Sequence, residues 1–310
     1  MGSWRCLSLA VALAVPIGAQ AAPQQSGLDP SWYDGQAEIS GYRWHGTRYG
    51  EERTGEAVAI FVTERFSRGL HVKVGDAGAI AGDATTAMKL NLVRDFQTGI
   101  YDYNTMTSVF VDAEDLGLMK STFSSAEWCG HVFETIDVRA GVPAISTSSY
   151  FEGESGMVNL AAEPDALIGD QLFIWLRGLH GAPLQPGESI RLPFLRSAFE
   201  RRLFHREAAW KVASIERDVN LETIRVPAGN FKAITYRIRS GDPRRGPSGH
   251  AGVIHIEAAA PHRLLAWSLR GKKDVIDAGE LTGTKRMKYW SLNREGHQQM
   301  RASIGLAERP

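Results

Sequence analysis

Hydrophobic and polar residues alternate with a period of two through most of this chain. Such alternation is typical of strands that bury one face, and the segment boundaries carry the Gly, Asp, Asn and Pro residues that turns need. Strands are therefore predicted at the following segments: Ala37–Trp44, Ala57–Phe66, Leu70–Val74, Val109–Val111, Met119–Trp128, His131–Arg139, Ala144–Phe151, Ile190–Phe194, Ala208–Ile215, Leu221–Val226, Ala233–Arg239, Val253–Ala258, Leu264–Leu269 and Lys285–Leu292.

One segment, residues 164–180, departs from this period. Its apolar residues recur at helical spacing, acids precede them, and Gly181 follows the last of them. These are the start and stop signals of an amphipathic helix. The pattern as a whole predicts a mainly β fold: a large curved antiparallel sheet or open barrel with one helix near 164–180.

A Pro-containing stretch at 182–187 divides the predicted strands into two groups. We interpret residues 32–181 as an N-terminal β-rich half and residues 188–295 as a C-terminal β-rich half. The two halves carry a similar strand density, so we expect them to resemble each other.

Residues 1–21 have the features of a secretory signal peptide. Arg5 is the only charged residue there, the apolar run Leu7–Ile17 is shorter than a membrane span, and Ala19-Gln20-Ala21 fits the small-x-small cleavage rule. No later stretch is apolar for long enough to span a bilayer. The sequence therefore predicts an exported protein, periplasmic if the source is Gram-negative, with no transmembrane span in the mature chain.

Composition narrows the function classes. The 310 residues hold 35 Lys and Arg against 35 Asp and Glu, so the basic excess of a general nucleic-acid binder is missing and no nucleic-acid partner is expected. Two Cys exclude a disulfide scaffold, and the nine His show no H-x-x-x-H spacing. We therefore predict no metal site and no cofactor. The one basic concentration, Arg191–Arg206, is interleaved with Leu, Phe and Ala, is partly offset by Glu200 and Glu207, and is interpreted as a salt-bridged surface.

The segment Glu127-Trp-Cys-Gly-His131 is the sharpest candidate for chemistry. If it forms a strand, Cys129 and His131 project to the same face, and a thiolate–imidazolium pair could attack an ester, amide or disulfide. We favour the alternative that Cys129 is a small buried hydrophobe beside Trp128. The catalytic candidates are thus Cys129, His131 and Glu127, and a binding function is expected rather than an enzymatic one.

Carboxylates and aromatic residues suggest a ligand site. Glu152 and Glu154 lie two apart and would share one face of a strand. Aromatic residues are dense in the first 110 positions, and on a curved sheet alternate positions would line an apolar groove with polar tips. The candidate ligand-binding residues are Tyr101, Tyr103, Trp128, Tyr150, Glu152 and Glu154.

Several phrases carry a resemblance to a known family. They are the V-P-A-G-x-F phrase at 226–231, Gly-Ile-Tyr-Asp-Tyr at 99–103, Glu-Trp-Cys-Gly-His at 127–131 and Ser-Tyr-Phe-Glu-Gly-Glu at 149–154. With them the chain resembles a domain-of-unknown-function family of exported bacterial β-rich proteins. The resemblance implies a curved antiparallel sheet, similar to that of periplasmic lipoprotein carriers, and implies no catalytic residues.

Three function classes follow. The first is an exported cell-envelope protein that binds a lipid, another apolar or amphipathic ligand, or an envelope protein, without catalysis. The second is an envelope hydrolase or thiol enzyme that uses Cys129 and His131. The third is a structural interaction protein that binds partners through a sheet edge.

Overall fold

The computed structural model describes residues 27–75, 81–242, 250–271 and 274–308. The predicted signal peptide, residues 1–21, lies outside these ranges. Within them no helix is long and apolar enough to cross a membrane.

The described residues form sixteen strands and two short α-helices. The strands are β1 Ala37–Arg48, β2 Glu51–Ser67, β3 Ala84–Thr98, β4 Tyr101–Asp112, β5 Leu118–Glu127, β6 Gly130–Arg139, β7 Val142–Ser149, β8 Gly156–Asn159, β9 Leu167–Ile168, β10 Ser189–Leu195, β11 Lys211–Arg217, β12 Glu222–Val226, β13 Gly229–Gly241, β14 His250–Glu257, β15 Leu264–Arg270 and β16 Val275–Met287. The helices are α1 Leu172–Arg177 and α2 Ala198–Leu203. Short 3-10 helices lie at Pro30–Tyr33, Ala81–Asp83, Gly169–Gln171, Tyr289–Ser291 and His297–Ile304.

All sixteen strands belong to one sheet. Strands β1 to β8 follow each other as an antiparallel meander, and β1 also pairs with β16, which continues through β15, β14, β13, β11 and β10 to β9. Only the short β9–β10 pair is parallel among the described ladders, and β12 forms a side hairpin on β13. The predicted class, a mainly β fold with a large curved antiparallel sheet, is confirmed.

The sheet curls into an open barrel whose two ends meet through side chains. Ile136 and Ile145 on β6 and β7 share a buried cluster with Ile168 and Leu195 on β9 and β10. The strands β8 and β9 terminate the sheet on either side of this cluster and are not paired with each other. At this point the two ends of the open sheet are therefore joined by apolar side-chain packing and not by backbone hydrogen bonds.

The predicted helix is present but shorter than residues 164–180. It begins after Leu167–Ile168, because these residues pair as a parallel strand with Phe194 and Leu195. It ends at Gly178, whose φ of 63° is the left-handed conformation that glycine tolerates best at a helix end. Five of its six residues are buried, since α1 lies inside the curved sheet and packs on both the β1–β5 and the β10–β16 sides. Helix α1 therefore fills the interior of the curved sheet, where a ligand groove is predicted from the sequence.

Aromatic residues and glycines alternate across the inner face of the sheet. In register, Trp267 lies opposite Gly279, Gly279 opposite Trp44, Trp44 opposite Gly55, and Gly55 opposite Phe96. A Cβ at Gly279 would collide with the indole of Trp267, and one at Gly55 would collide with Phe96. The missing side chains let Trp44 and Phe96 stack with ring centres 4.6 Å apart. Trp44 and Phe96, two of the aromatic residues in the first 110 positions, are thus core residues.

Two buried Arg–carboxylate pairs tie distant strands together inside the barrel. Arg177 at the end of α1 donates from Nη1 to Oε1 of Glu38 at 2.7 Å and from Nη2 to Oε2 at 3.1 Å. Arg94 on β3 donates from Nε and Nη2 to the carboxylate of Asp277 on β16, at 3.0 and 2.7 Å. Neither pair could be predicted from the sequence, because charged residues are ordinarily expected at the protein surface.

Two predicted strands fail or shift, and the long strand β3 was not predicted at all. Residues 70–74 make a turn with one isolated bridge and no strand, and 285–292 is a strand only as far as Met287. Helix α2 was not anticipated. The hairpin in V-P-A-G-x-F is confirmed, because Val226 pairs with Gly229 around a two-residue turn.

Candidate functional site

A cleft of about 650 Å³ lies beside the gap between the two ends of the sheet. Strands β5 to β8 form one wall, and α2 with the loop that follows it forms the other. The loop at residues 150–155 joins β7 to β8, and α2 packs on β5 through the Phe123–Phe199 ring contact.

The floor of the cleft is apolar. Phe123, Val132 and Ile145 are contributed by three neighbouring strands at buried positions, since each follows the inward period of its strand. Met157 and Val158 on β8 extend the apolar surface to the rim, where both side chains are exposed. A hydrocarbon group could lie along this strip without displacing any core residue.

Helix α2 supplies the charged wall. The hydroxyl of Ser197 accepts a hydrogen bond from the Glu200 amide at 3.2 Å and so caps the helix start. The capped helix directs Arg201 at Glu134 on β6, where Nη1 donates to Oε2 at 2.8 Å and Nη2 to Oε1 at 2.5 Å. Arg201 Nε donates to the carbonyl of Arg196 at 3.1 Å. Each of the three nitrogens of this guanidinium therefore donates a hydrogen bond within the protein. Two of these bonds hold α2 against β6.

Arg202, the next residue, has looser partners. Its side chain is only 9% exposed, and its Nη2 lies 3.5 Å from Oε1 of Glu127 while its Nη1 lies 3.5 Å from Glu154. The guanidinium packs over the ring of Phe151, 4.2 Å from the ring centre. Its Nε and Nη2 donate to no hydrogen-bond acceptor in the described part of the chain.

Glu154 and His205 close the mouth of the cleft. His205 has a φ of 48°, an uncommon conformation for a residue with a side chain, and its Nδ1 lies 2.5 Å from Oε1 of Glu154. Partial burial pushes the pKa of Glu154 upward, but hydrogen bonds from His205 and Ser149 and the charge of Arg202 outweigh it and hold the pKa below its ordinary value. The carboxylate thus stays ionised at neutral pH.

A cluster of tyrosines lies beside the guanidinium of Arg202. The hydroxyls of Tyr49 and Tyr103 are 2.6 Å apart, and Nη2 of Arg48 donates to Tyr103 at 3.3 Å. Burial, followed by hydrogen bonds with Glu127 and Tyr49, raises the pKa of Tyr103 well above its ordinary value. Tyr103 is therefore a neutral hydrogen-bonding group and not a base.

Of the six predicted ligand-binding residues, two line the cleft and Tyr103 lies beside Arg202. Glu152 and Glu154 line the cleft, although they lie in the β7–β8 loop and not on a strand. Tyr101 contacts both Tyr103 and Trp128, with ring centres 5.7 and 6.3 Å apart. Tyr150 is exposed and packs against Gly130, where a Cβ would collide with its ring.

The predicted catalytic residues are placed differently. Cys129 is exposed, so the expectation of a buried thiol is wrong. It lies in the two-residue turn between Glu127 and Gly130, which pair with each other, and a turn residue does not share a strand face with His131. His131, the second residue of β6, is exposed, and neither Cys129 nor His131 lines the cleft. Of the three candidates, Glu127 alone reaches the charged wall, through Arg202.

The residues that sequence reasoning missed are Arg201, Arg202 and His205. The basic concentration was interpreted as surface, yet Arg196 and Arg201 are buried. The signal was available: Ser197-Ala-Phe-Glu200 has the spacing of a helix-start capping box, which would have predicted α2 and placed two arginines on its second turn.

No His, Cys, Asp or Glu side chains in the described ranges are grouped in threes as a metal ion would need. The polar groups of the cleft are arginines, carboxylates and an imidazole. These groups can orient the polar end of a ligand by hydrogen bonding and neutralise its charge by ion pairing.

Similarity to this chain is found among solved structures, at low sequence identity. No protein-family model and no curated protein matches the chain. Among solved structures it is similar to a beta-barrel-like protein of DUF1849 from Brucella abortus, with a TM-score of 0.48 and 10% identity over 81% of this chain and 98% of that one. It is also similar to a Bacteroides fragilis protein with a YmcC-like fold that is described as exported, with a TM-score of 0.23 and 12% identity over 85% of this chain and 97% of that one.

Asp170, behind the cleft wall, predicts a pH effect on stability. Complete burial raises its pKa from 3.8 to about 6, with Arg201 and the Ala198 amide opposing and Glu134 adding to the shift. The folded protein therefore binds this proton more tightly than the unfolded chain, and stability is lost as pH rises from about 4 to about 6. Asp170→Asn should remove that loss, about 3 kcal/mol at full effect.

The measurement is urea unfolding of both proteins at several pH values between 4 and 7.5. The difference in unfolding free energy should move in favour of Asp170→Asn as pH rises, and level off above pH 6. Two parallel stability curves would show that Asp170 has an ordinary pKa in the folded state.

Proposed function

We propose that the protein is a non-catalytic binding protein of the bacterial cell envelope that takes the apolar part of an amphipathic ligand into the cleft between β5–β8 and α2. The observation that carries the proposal is the combination, in one open cavity, of an apolar floor and a charged wall. A volume of about 650 Å³ lies in the range of small-molecule sites. A single acyl chain with a polar head matches that division of surface.

Location enters the proposal through the sequence. The signal-like residues 1–21 support export, and a periplasmic site is proposed for a Gram-negative source. An exported binding protein with an open, solvent-facing cleft could accept a ligand from a membrane or a partner. Of the candidate ligand-binding residues, Glu152 and Glu154 would face the ligand directly, and Trp128, Tyr101, Tyr103 and Tyr150 would border its polar end.

The interior of the barrel does not take part in this proposal. Helix α1 and the Trp44–Phe96 row fill it, so a ligand held in the centre of the barrel would require the core to open. The cleft needs no such change. Its occupant is therefore expected to lie at the gap between the sheet ends.

The test is calorimetric titration with dodecyl maltoside below its critical micelle concentration, a neutral-headed probe with a single twelve-carbon chain. Val158→Asp places a charge at the exposed apolar rim and should weaken binding about tenfold, which corresponds to roughly 1.4 kcal/mol. Val219→Asp is the matched control, because Val219 is also exposed but lies in the turn between β11 and β12, outside the cleft. Equal affinity of both variants, or no binding by the wild type, would contradict the proposal.

A further inference from the structure

The charged wall of the cleft contains donors that the protein itself does not use. Nε and Nη2 of Arg202 are on the same edge of the guanidinium, and both lack a hydrogen-bond acceptor in the described residues although the side chain is nine-tenths buried. Buried donors of this kind are uncommon because each costs free energy on folding. They point to a ligand acceptor.

The protein shows elsewhere what this edge of an arginine binds. Arg94, Arg237 and Arg263 each donate from Nε and Nη2 to a carboxylate, to Asp277, Asp218 and Glu257 respectively. The planar pair of N–H groups matches the two oxygens of a carboxylate in distance and direction. Arg202 has the same edge without that partner.

Arg202 does not have Glu127 as that partner. Oε1 of Glu127 lies 3.5 Å from Nη2, outside hydrogen-bond geometry. The hydrogen bond with Glu127 that contributes to the raised pKa of Tyr103 directs this carboxylate toward the tyrosine cluster. Glu154, the other nearby acid, contacts Nη1 and His205.

A small void next to the cleft adds two further donors. Arg202 lines both spaces, and the void is bordered also by Arg48, Thr105 and three phenylalanines. Nε of Arg48 and the hydroxyl of Thr105 are buried and have no partner in the described chain. The void measures about 10 Å³, which is room for one water molecule or one oxygen atom of a ligand head group.

From these contacts we infer that the ligand is a carboxylate-headed amphiphile, bound with its carboxylate on Arg202 beside Arg48 and Thr105 and its chain along the floor of Phe123, Val132 and Ile145. This inference rests on the proposed function and assigns its ligand class. The arginines that line the cleft are offset by Glu127, Glu134 and Glu154. The preference for a carboxylate therefore comes from short-range hydrogen bonds and depends weakly on salt.

The experiment compares three probes with the same twelve-carbon chain: dodecanoate, dodecyl phosphate and dodecyl maltoside, titrated at pH 7.5. The wild type should bind dodecanoate at least tenfold more tightly than the other two, and the preference should persist in 0.5 M salt. Equal affinity for dodecanoate and dodecyl phosphate would overturn the carboxylate assignment.

Variants locate the preference. Arg202→Met should lower dodecanoate affinity about tenfold or more and leave dodecyl maltoside affinity within twofold. Arg206→Met is the control, since Arg206 also lines the cleft but is exposed, and its loss should change dodecanoate affinity less than threefold. An equal loss in both variants would mean that net charge, and not the buried donors, attracts the probe.

Thr105→Val provides a variant that keeps every internal hydrogen bond, because the Thr105 hydroxyl makes none. It should fold as the wild type does and lower dodecanoate affinity several-fold, whereas unchanged affinity would contradict a carboxylate oxygen in the void. If dodecyl maltoside binds normally while the dodecanoate preference is missing, only this inference fails. If neither probe binds, the proposed function fails with it.

Discussion

Glu38→Ala should lower the free energy of unfolding by about 3–5 kcal/mol, the usual cost of leaving a buried charge without its partner. Arg177 has no exposed side-chain surface and Glu38 has 1%. The guanidinium also donates to the carbonyls of His262 and Pro261 and packs 4.3 Å from the ring centre of Phe61. These contacts hold it in place, so it cannot move to water when the carboxylate is removed.

Urea unfolding with linear extrapolation measures this effect. Glu280→Ala removes the exposed partner of Arg43, a pair that joins β1 to β16, and should cost less than about 1 kcal/mol. The double variant Glu38→Leu with Arg177→Met should recover most of the loss, because no unpaired charge remains. A loss below about 1 kcal/mol for Glu38→Ala would show that Arg177 does not depend on this carboxylate.

Asp277→Ala is expected to cost a similar amount, about 3–5 kcal/mol. Its carboxylate accepts from three buried donors: Nε and Nη2 of Arg94, and Nε1 of Trp44 at 2.6 Å. Nη1 of Arg94 already has no acceptor among the described residues, so the variant would leave the whole guanidinium with only the ring of Phe199, 4.3 Å away.

Asp218→Ala is the matched control for Asp277→Ala. Asp218 binds Arg237 through the same two nitrogens, but the pair is partly exposed, and its loss should stay within about 1 kcal/mol. Asp277→Asn keeps one oxygen acceptor and should lie between the wild type and Asp277→Ala. Equal destabilisation by Asp218→Ala and Asp277→Ala would mean that burial does not set the strength of these pairs.

The period-two alternation predicted most strands because each strand of an open barrel has one face on the core. The same rule misplaced Leu70–Val74, where Leu70 and Val72 are exposed and His71 is turned inward: His71 is buried and its Nδ1 lies 3.1 Å from Asp137. Period-two alternation shows which residues share one face of a strand. A short segment can nevertheless bury a polar side chain when a hydrogen-bond partner is available.

The candidate site was predictable only in part. Glu154 and Glu127 could be singled out as carboxylates in unusual phrases, yet the residue that joins them, Arg202, belongs to a segment 48 residues beyond Glu154. Arginine in a sequence is ordinarily a surface residue, and its burial depends on carboxylates brought by other strands. The cleft itself depends on where β8 and β9 stop, which no local pattern encodes.

The ladder between β1 and β16 determines the order in which the sheet can assemble. Every other described ladder joins strands close together in the chain, whereas this one pairs Ala37 with Met287. The entropy of closing so long a loop must be offset before that ladder gains stability, so it is expected to form after the hairpins on either side. We propose that strands β1–β8 and β9–β16 begin as separate folding units, joined last along β1 and β16. Substitutions in this ladder would then mainly speed unfolding and leave the folding rate almost unchanged.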